Sequence, residues 1–239
     1  MKSLYLDIVD STNKWAKEHI LEIEDKTLVY TFNQTDGRGR LKRKWLNTGT
    51  DNIYASFVLK PSAAMKEVYS NLTQYLCIVL AEIMEEYGTL PKIKWPNDIK
   101  INDKKVSGIL AEGVISDNEL KGIILGFGVN LNTNKENLVS IDQPATALNI
   151  EVGKEIDKNE FLKKVYDRFC LMYDEFIERG FSLIRDDYIR RANFLNKNVS
   201  VKVFDKTVNG LATDITENGA LKIIDKNNKE QILLIGDIL

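Results

Sequence analysis

Residues 34–49, called the basic loop below, combine cations, glycines and an aromatic residue in one short stretch. Five of the seven residues in 38–44 are Lys or Arg, and Trp45 follows them directly. Arginine carries a planar, permanently charged fork that fits phosphate and carboxylate oxygens, and an indole face can stack on a base. Gly37 and Gly39 let the backbone turn sharply and approach a ligand closely. The loop therefore predicts an anion site, with a solvated surface loop or an RNA-binding Arg-Gly segment as the alternatives.

Three further polar patches lie elsewhere in the chain. Residues 10–13 (Asp-Ser-Thr-Asn) stand at a predicted helix start, where simple N-capping is the alternative explanation. Residues 94–98 (Lys-Trp-Pro-Asn-Asp) must be extended, because proline disfavours a helical residue before it, and a turn would also explain their polar end. Lys105 begins an apolar strand, where a lone lysine is usually solvated. Each patch is weak evidence for a site when taken alone.

The overall composition excludes several classes of protein. The chain has 239 residues, 44% of them hydrophobic, and a net charge of −2, which argues against general binding to DNA or to a membrane surface. It contains no apolar run long enough to span a membrane, and Asp7 comes too early for a signal peptide. A single histidine, His19, and two cysteines without a CxxC partner, Cys77 and Cys170, argue against a structural zinc site. We expect a reduced, cytoplasmic protein.

The pattern of apolar residues predicts strands and helices in mixed order. Strands are expected at 4–9, 27–32, 53–59, 106–115 and 121–131, and helices after residue 11, at 65–87 and at 158–191 with a break near Gly180. The three glycines of 121–131 suggest that other groups pack closely against that strand. From about Leu195 onward, four short β patterns separated by turns predict a small all-β module. We therefore expect one domain over 1–194 and a second over 195–239.

Taken in order, the patches resemble the signatures of the biotin protein ligases over essentially the whole chain. Spacing carries this resemblance, because a Gly-Arg-Gly-Arg element alone would be a weak motif. The matching segments are Ser11-Thr12-Asn13, Gln34 with Gly37-Arg38-Gly39-Arg40, Arg43 and Trp45, Lys94-Trp95-Pro96-Asn97-Asp98, Lys105 with Gly108-Ile109-Leu110, Gly126-Phe127-Gly128-Val129-Asn130 and Ala145-Thr146-Ala147-Leu148. Two positions depart from the family: Leu41-Lys42 stands where many members carry glycine, and Ala147 where serine is common.

The resemblance implies a reaction and a role for each matching residue. The family uses ATP to activate biotin as biotinyl-5'-adenylate and then transfers biotin to a lysine of a biotin carboxyl carrier protein domain. Lys105 and Arg40 would be catalytic, and Asp98 would be a ligand of Mg²⁺. The implied biotin-binding residues are Ser11, Thr12, Asn13, Gln34, Gly37, Arg38, Gly39, Arg40 and Lys105. The implied ATP- or adenylate-binding residues are Arg38, Arg40, Arg43, Trp45, Asn97, Asp98, Lys105, Asn130 and Thr146.

The resemblance also implies an α+β fold with a mixed, mostly antiparallel sheet flanked by helices, similar to the core of class II aminoacyl-tRNA synthetases, followed by an SH3-like module. Homodimers occur in the family. Some members carry a DNA-binding domain before the catalytic domain. Here the first catalytic strand is expected at about residue 4, so we expect a ligase without repressor activity.

Three alternatives to a biotin protein ligase stay open. A lipoate or octanoate ligase or transferase shares the core fold, although the Gly-Arg-Gly-Arg and Lys-Trp-Pro-Asn-Asp elements favour biotin. A nucleic-acid-binding regulator would use the basic loop and the β module, and it would bind in a strongly salt-dependent way. An inactive biotin-binding module is the third. Because clustered cations repel one another, we also expect the basic loop to become ordered only when an anionic ligand arrives.

Overall fold

The structure is a computed structural model that describes residues 1–62 and 65–239, with every side chain except those of Lys42, Lys66 and Glu67. The strands are β1 (Ser3–Tyr5), β2 (Thr27–Thr31), β3 (Gly37–Arg38), β4 (Lys44–Trp45), β5 (Ile53–Leu59), β6 (Lys92–Lys94), β7 (Asp98–Ile101), β8 (Lys104–Ser116), β9 (Glu119–Val129), β10 (Asn198–Val203), β11 (Lys206–Ile215), β12 (Leu221–Ile224), β13 (Glu230–Leu233) and β14 (Asp237–Ile238). The helices are α1 (Thr12–Glu18), α2 (Met65–Val68), α3 (Leu72–Glu86), α4 (Lys135–Leu138), α5 (Leu148–Val152), α6 (Lys158–Arg179) and α7 (Arg185–Arg191).

A seven-stranded mixed sheet forms the centre of the molecule, with the strand order β1-β2-β5-β9-β8-β7-β6. Strands β1 and β2 are parallel, and every other neighbouring pair is antiparallel. A parallel pair needs a crossover connection, and the segment that contains α1 supplies it. The predicted α+β class with a mostly antiparallel sheet is therefore confirmed.

The side chains of β5 alternate between two apolar clusters, one on each face of the sheet. Phe57 stacks on Phe169 of α6, with ring centroids 3.9 Å apart, on the face that α3 and α6 cover. The next residue, Val58, packs into the opposite cluster with Ala16 of α1 and the nearby Ile20. Successive side chains of a strand point to opposite faces, and burying one such side chain contributes about 1.5–3 kcal/mol. The α1 face also carries the cavity described below.

The C-terminal module is a five-stranded antiparallel sheet in the order β13-β12-β11-β10-β14. It is fastened to the first 194 residues through the β11–β12 turn. The carbonyl of Gly219 in that turn accepts hydrogen bonds from Gln74 Nε2 at 2.9 Å and from Trp95 Nε1 at 3.2 Å. Ile215 and Ile223 belong to the same buried cluster as α3 and α6. The module therefore shares the core of the first 194 residues, and the boundary at 194/195 stays a prediction.

Several predicted elements differ from the structure. The first strand is Ser3–Tyr5, shorter than 4–9, and the helix expected at 65–87 begins as α2, passes through a 3-10 turn at Tyr69–Asn71 and continues as α3. Positions 63 and 64 lie outside the described residues. The break near Gly180 is confirmed, because Gly180 follows α6 with φ of +65°. No helix in the described part of the chain combines the length and the apolarity that crossing a membrane requires.

Candidate active site

A cavity of about 350 Å³ lies among β8, β9, the start of α1 and the basic loop. Most of the predicted site residues line it: Ser11, Thr12, Asn13, Gln34, Arg38, Gly39, Arg40, Arg43, Trp45, Asn97, Asp98 and Lys105. It is also lined by residues that the sequence did not single out, namely Ser140, Asp142, Gln143 and Asp237. Four patches that are far apart in sequence thus meet at a single place in the fold.

The start of α1 forms a neutral, hydrogen-bonding end of the cavity. Ser11 is the N-cap of α1, and its Oγ accepts a hydrogen bond from the backbone N–H of Lys14 at 3.4 Å. The backbone N–H of Thr12 donates to Gln34 Oε1 at 2.9 Å, which ties the helix start to the beginning of the basic loop. Ser11, Thr12 and Gln34 are all buried. Ser11 therefore caps α1 and also lines the cavity, so N-capping does not exclude a place for this residue in the site.

The basic loop is not wholly irregular, as β3 and β4 form a short hairpin around a 3-10 turn at Arg40–Lys42. The hairpin carries Trp45 onto the sheet, where the indole covers Gly108 and Gly128, which are directly paired across β8 and β9. A Cβ on Gly128 would stand 2.5 Å from Trp45 Cε2, and one on Gly108 would stand 2.8 Å from Cζ3. The indole Nε1 is buried and has no hydrogen-bond partner among the described residues.

Close packing against the glycines of β9 is confirmed at all three positions. A Cβ on Gly122 would stand 2.7 Å from the carbonyl oxygen of Leu59, and one on Gly126 would overlap Asn13 Oδ1. Together with the indole on Gly128, these contacts leave no room for a Cβ atom at any of the three glycine positions. Gly37 likewise allows β3 and β4 to approach closely, because a Cβ there would stand 2.5 Å from the carbonyl oxygen of Trp45.

Lys105 and Asp98 form an ion pair at the cationic end of the cavity. Lys105 Nζ lies 2.8 Å from Asp98 Oδ1, and both side chains are largely buried, at 15% and 16% exposure. The same ammonium lies 5.4 Å from the centroid of the Trp45 ring. Nearby, burial lowers the pKa of Lys94, and the carboxylate of Asp98 opposes that shift. Lys105 is therefore a desolvated cation held at a fixed position by a carboxylate.

Two predicted nucleotide-binding residues lie behind the cavity wall. The backbone N–H of Thr146 donates to the carbonyl of Lys105 at 2.9 Å. Asn130 Nδ2 donates to the carbonyl of Thr146 at 3.1 Å. Both residues are buried, and in this structure they secure the first residues of β8 and not the cavity surface. Their binding of ATP or adenylate, which the family resemblance implied, therefore stays a prediction.

Arg40 is fixed by groups from two parts of the chain. Its Nη1 donates to Asn97 Oδ1 at 3.3 Å, and Asn97 Nδ2 donates to the carbonyl of Ile109 at 2.6 Å, which sets the orientation of that amide. From the C-terminal module, the carbonyl of Gly236 accepts from Arg40 Nη2 at 3.1 Å, and Asp237 Oδ1 lies 3.3 Å from Nη1. No motif in the sequence indicated that the last strand would reach the site.

Comparison with known proteins agrees with this geometry. The Biotin/lipoate A/B protein ligase family matches residues 5–130, and the Biotin protein ligase C terminal domain matches residues 194–239. The chain therefore belongs to the biotin/lipoate A/B protein ligase family. Within that family it falls among the biotin protein ligases, because its last residues match the C-terminal domain of those enzymes. The resemblance that the sequence motifs indicated is confirmed.

Individual relatives cover nearly the whole chain. The solved biotin protein ligase from Aquifex aeolicus in complex with biotin and ATP is 30% identical, covers 100% of this chain and 97% of its own, and has a TM-score of 0.85. The bifunctional ligase/repressor BirA of Bacillus subtilis is 29% identical over 98% of this chain and 73% of its own length. The biotin–[acetyl-CoA-carboxylase] ligase of Paracoccus denitrificans is 29% identical over 89% of this chain and 90% of its own.

Proposed function

We propose that this protein activates biotin with ATP to form biotinyl-5'-adenylate and pyrophosphate, and then transfers biotin to a lysine of a biotin carboxyl carrier protein domain. The observation that carries the proposal is the polarity of the cavity. One end offers the neutral donors and acceptors of Ser11, Thr12 and Gln34, and the other offers Lys105 and Arg40. Biotin has matching ends, a neutral ureido ring and a carboxylate. The Aquifex aeolicus relative was solved with both biotin and ATP.

In the first step the biotin carboxylate attacks the α-phosphorus of ATP, and pyrophosphate leaves. Both reactants are anions, so cations must offset their repulsion and stabilise the charge that develops at phosphorus. Lys105 is suited to bridge the carboxylate and the α-phosphate, because its side chain is largely buried and its Nζ is held 2.8 Å from Asp98 Oδ1. Arg40 is suited to hold phosphate, since Asn97 and Gly236 already fix its guanidinium. Arg38 and Arg43 would add charge and order the loop.

In the second step a lysine amine of the acceptor attacks the acyl carbonyl of the mixed anhydride, and AMP leaves. Water is the competing nucleophile. A closed basic loop would exclude it, because the loop forms one wall of the cavity through Trp45 and Arg40. Trp45 turns one face toward Gly108 and Gly128, so the indole shapes the nucleotide part of the cavity. We assign Asn97 and Trp45 to this part, with Asn130 and Thr146 supporting it from behind.

Magnesium would be bound at this site mainly through the phosphate oxygens of the nucleotide, with few ligands from the protein. Within residues 1–62 and 65–239 no cluster of three or more His, Cys, Asp or Glu side chains could hold a metal. Asp98 is the carboxylate next to Lys105 and would be a single protein ligand, with the remaining positions taken by phosphate oxygens and water. When bound, Mg²⁺ would neutralise the triphosphate and ease the departure of pyrophosphate.

We further propose a biotin-dependent carboxylase as the source of the acceptor domain, because relatives of this chain are named as ligases for acetyl-CoA carboxylase. We also propose a cytoplasmic location, which the cysteine content supports, and no binding to DNA, which the slightly acidic composition supports. A homodimer also stays a proposal, on the resemblance to the family alone.

Intact-mass analysis of two acceptors tests the reaction. A biotin acceptor domain and a lipoyl domain are each incubated with the protein, Mg-ATP and either biotin or lipoate. We expect a biotin adduct on the biotin acceptor that requires ATP and is lost when the acceptor lysine is replaced. An adduct of lipoate on the lipoyl domain would instead assign the chain to lipoate transfer, and no adduct alongside an active control ligase would contradict the proposal.

A further inference from the structure

We propose that Glu112 and Ser56 are positioning residues that hold the side-chain amide of Asn13 in the orientation required to bind biotin. Neither residue belongs to the motifs that the sequence analysis singled out, and both lie behind the neutral end of the cavity. The inference rests on the proposed function, because it concerns how the biotin end of that site is built. It is carried by a hydrogen-bond network that uses both polar atoms of one amide.

Glu112 engages two residues of α1 at once. Gly108, Leu110 and Glu112 alternate along β8, and the first two line the cavity. Glu112 Oε2 accepts from Asn13 Nδ2 at 2.8 Å, and Oε1 lies 2.9 Å from Lys17 Nζ. Asn13 and Lys17 are four residues apart, so they stand on the same side of the helix. The carboxylate therefore holds the start of α1 against β8 through two contacts, one with Asn13 and one with Lys17.

A carboxylate determines which atom of the Asn13 amide it faces. Ionised carboxylates only accept hydrogen bonds, so the amide nitrogen must point toward Glu112. Burial disfavours the ionised form of Glu112, but the hydrogen bonds from Asn13 and Lys17 outweigh that effect and hold its pKa below the usual value. Glu112 is thus ionised at neutral pH, and the orientation of the amide is unambiguous.

Ser56 fixes the other side of the same amide. Its Oγ lies 2.6 Å from Asn13 Oδ1 and 2.8 Å from Thr12 Oγ1, and the residue is fully buried in β5. Because Thr12 also binds Gln34 through its backbone N–H, Ser56 links three residues of the neutral end. The amide further packs against the bare backbone of Gly126, where a Cβ atom would overlap Asn13 Oδ1. Each polar atom of the Asn13 amide consequently has its own hydrogen-bond partner, Glu112 for Nδ2 and Ser56 for Oδ1.

Glu112→Gln is the sharpest test. The glutamine keeps the shape of the side chain, but its single carbonyl oxygen cannot serve both Lys17 and Asn13. The charged ammonium would win that competition, and two N–H groups would then face each other at Asn13. We expect Kd for biotin, measured by calorimetry on the full chain without ATP, to rise about tenfold, which is the effect of losing one charge-assisted hydrogen bond. The KM for ATP should change less than about twofold.

Ser56→Ala approaches the amide from the opposite side and should raise Kd for biotin in the same way, again without a matching change in KM for ATP. Glu119→Gln is the matched control, because Glu119 pairs with Lys121 at the exposed end of the same hairpin. It should leave Kd for biotin unchanged. The thermal midpoint of each variant separates a loss of binding from a general loss of stability.

A double-mutant cycle tests whether Glu112 acts through Asn13. In the Asn13→Ala background, Glu112→Gln should have no further effect on Kd for biotin. An equal loss in that background would overturn the inference, as would a Glu112→Gln variant with normal biotin affinity. Wild-type protein that fails to form biotinyl-adenylate would defeat the proposed function itself, whereas normal adenylate formation with unaffected variants would defeat only this inference.

Discussion

At the scale of single residues, Lys105 combines burial, charge and a fixed partner. Its ammonium has lost most of its contact with water and is held by Asp98 and the face of Trp45. A buried cation of this kind interacts more strongly with an incoming anion than a solvated one does, because the effective dielectric constant is lower. It also needs no reorganisation when negative charge develops beside it.

We therefore expect Lys105→Ala to slow the formation of biotinyl-adenylate by roughly a hundredfold or more, in line with the removal of one electrostatic group from other active sites. Adenylate and pyrophosphate are measured by mass spectrometry in the absence of an acceptor. Lys104→Ala, which removes the exposed neighbour on the same strand, should behave as wild type. If Lys105→Ala formed adenylate normally and failed only in transfer, the role assigned to this lysine would be wrong.

At the scale of elements, the last strand brings a carboxylate to Arg40. Asp237 is 7% exposed, and its Oδ2 has no hydrogen-bond partner among the described residues. We expect Asp237→Asn to lower the rate of adenylate formation about tenfold, because it weakens the charge-assisted contact that aims the guanidinium. Single-turnover kinetics measure this rate. Asp205→Asn, an exposed position in the same module, is the control, and equal rates for both variants would refute the assignment.

The basic loop is the other element with a specific expectation. Its hairpin is held by the β3–β4 pair and by Arg40, while several of its cations lie close together. Biotinyl-adenylate would supply the missing negative charge, so amide exchange over residues 37–45 should slow when it binds. Hydrogen exchange followed by mass spectrometry measures this. Equal protection with and without the adenylate would show that the loop is already closed before ligand arrives.

Much of the site was predictable because the chemistry of each motif depends on residues that are close together in the sequence. Clustered arginines, a lysine at a strand start and a glycine-rich strand each depend on neighbours in the sequence, and the structure brings most of them into one cavity. Asp237, Glu112 and Ser56 were not predictable in this way. Each is an ordinary residue type in an ordinary strand, and its importance comes from a contact with a distant part of the chain. The strand expected at 4–9 is shorter because its backbone pairing is interrupted after Leu6 and resumes at Val9 only as an isolated bridge to Gln34.

At the scale of the whole molecule, the seven-stranded sheet and the five-stranded C-terminal sheet contribute to a single apolar core. Ile215 and Ile223 of the module lie in one cluster with α3 and α6, and Trp95 donates to the β11–β12 turn. Arg185 adds hydrogen bonds from its Nη2 to Asp214 Oδ1 at 3.1 Å and to the carbonyl of Ile215 at 2.8 Å. Regions that share buried surface and hydrogen bonds unfold together.

We therefore expect one cooperative unfolding transition for the full chain. Tryptophan fluorescence, to which Trp95 contributes from the junction, and far-ultraviolet circular dichroism should give coincident denaturation curves. Gln74→Ala removes one of the hydrogen bonds to the Gly219 carbonyl and should lower the free energy of unfolding by about 1 kcal/mol without separating the curves. Two resolved transitions would show that the module folds independently.

The packing along β9 has a consequence for how this sequence can vary. Three glycines of one strand each support a different partner: the backbone at Leu59 and the nearby Ile20, the amide of Asn13, and the indole of Trp45. Every substitution of glycine by another amino acid introduces at least a Cβ atom, so these positions accept no conservative replacement. We therefore expect substitutions at either end of the cavity to occur first in the side chains that pack on β9. The three glycines of β9 can change only after those side chains have become smaller.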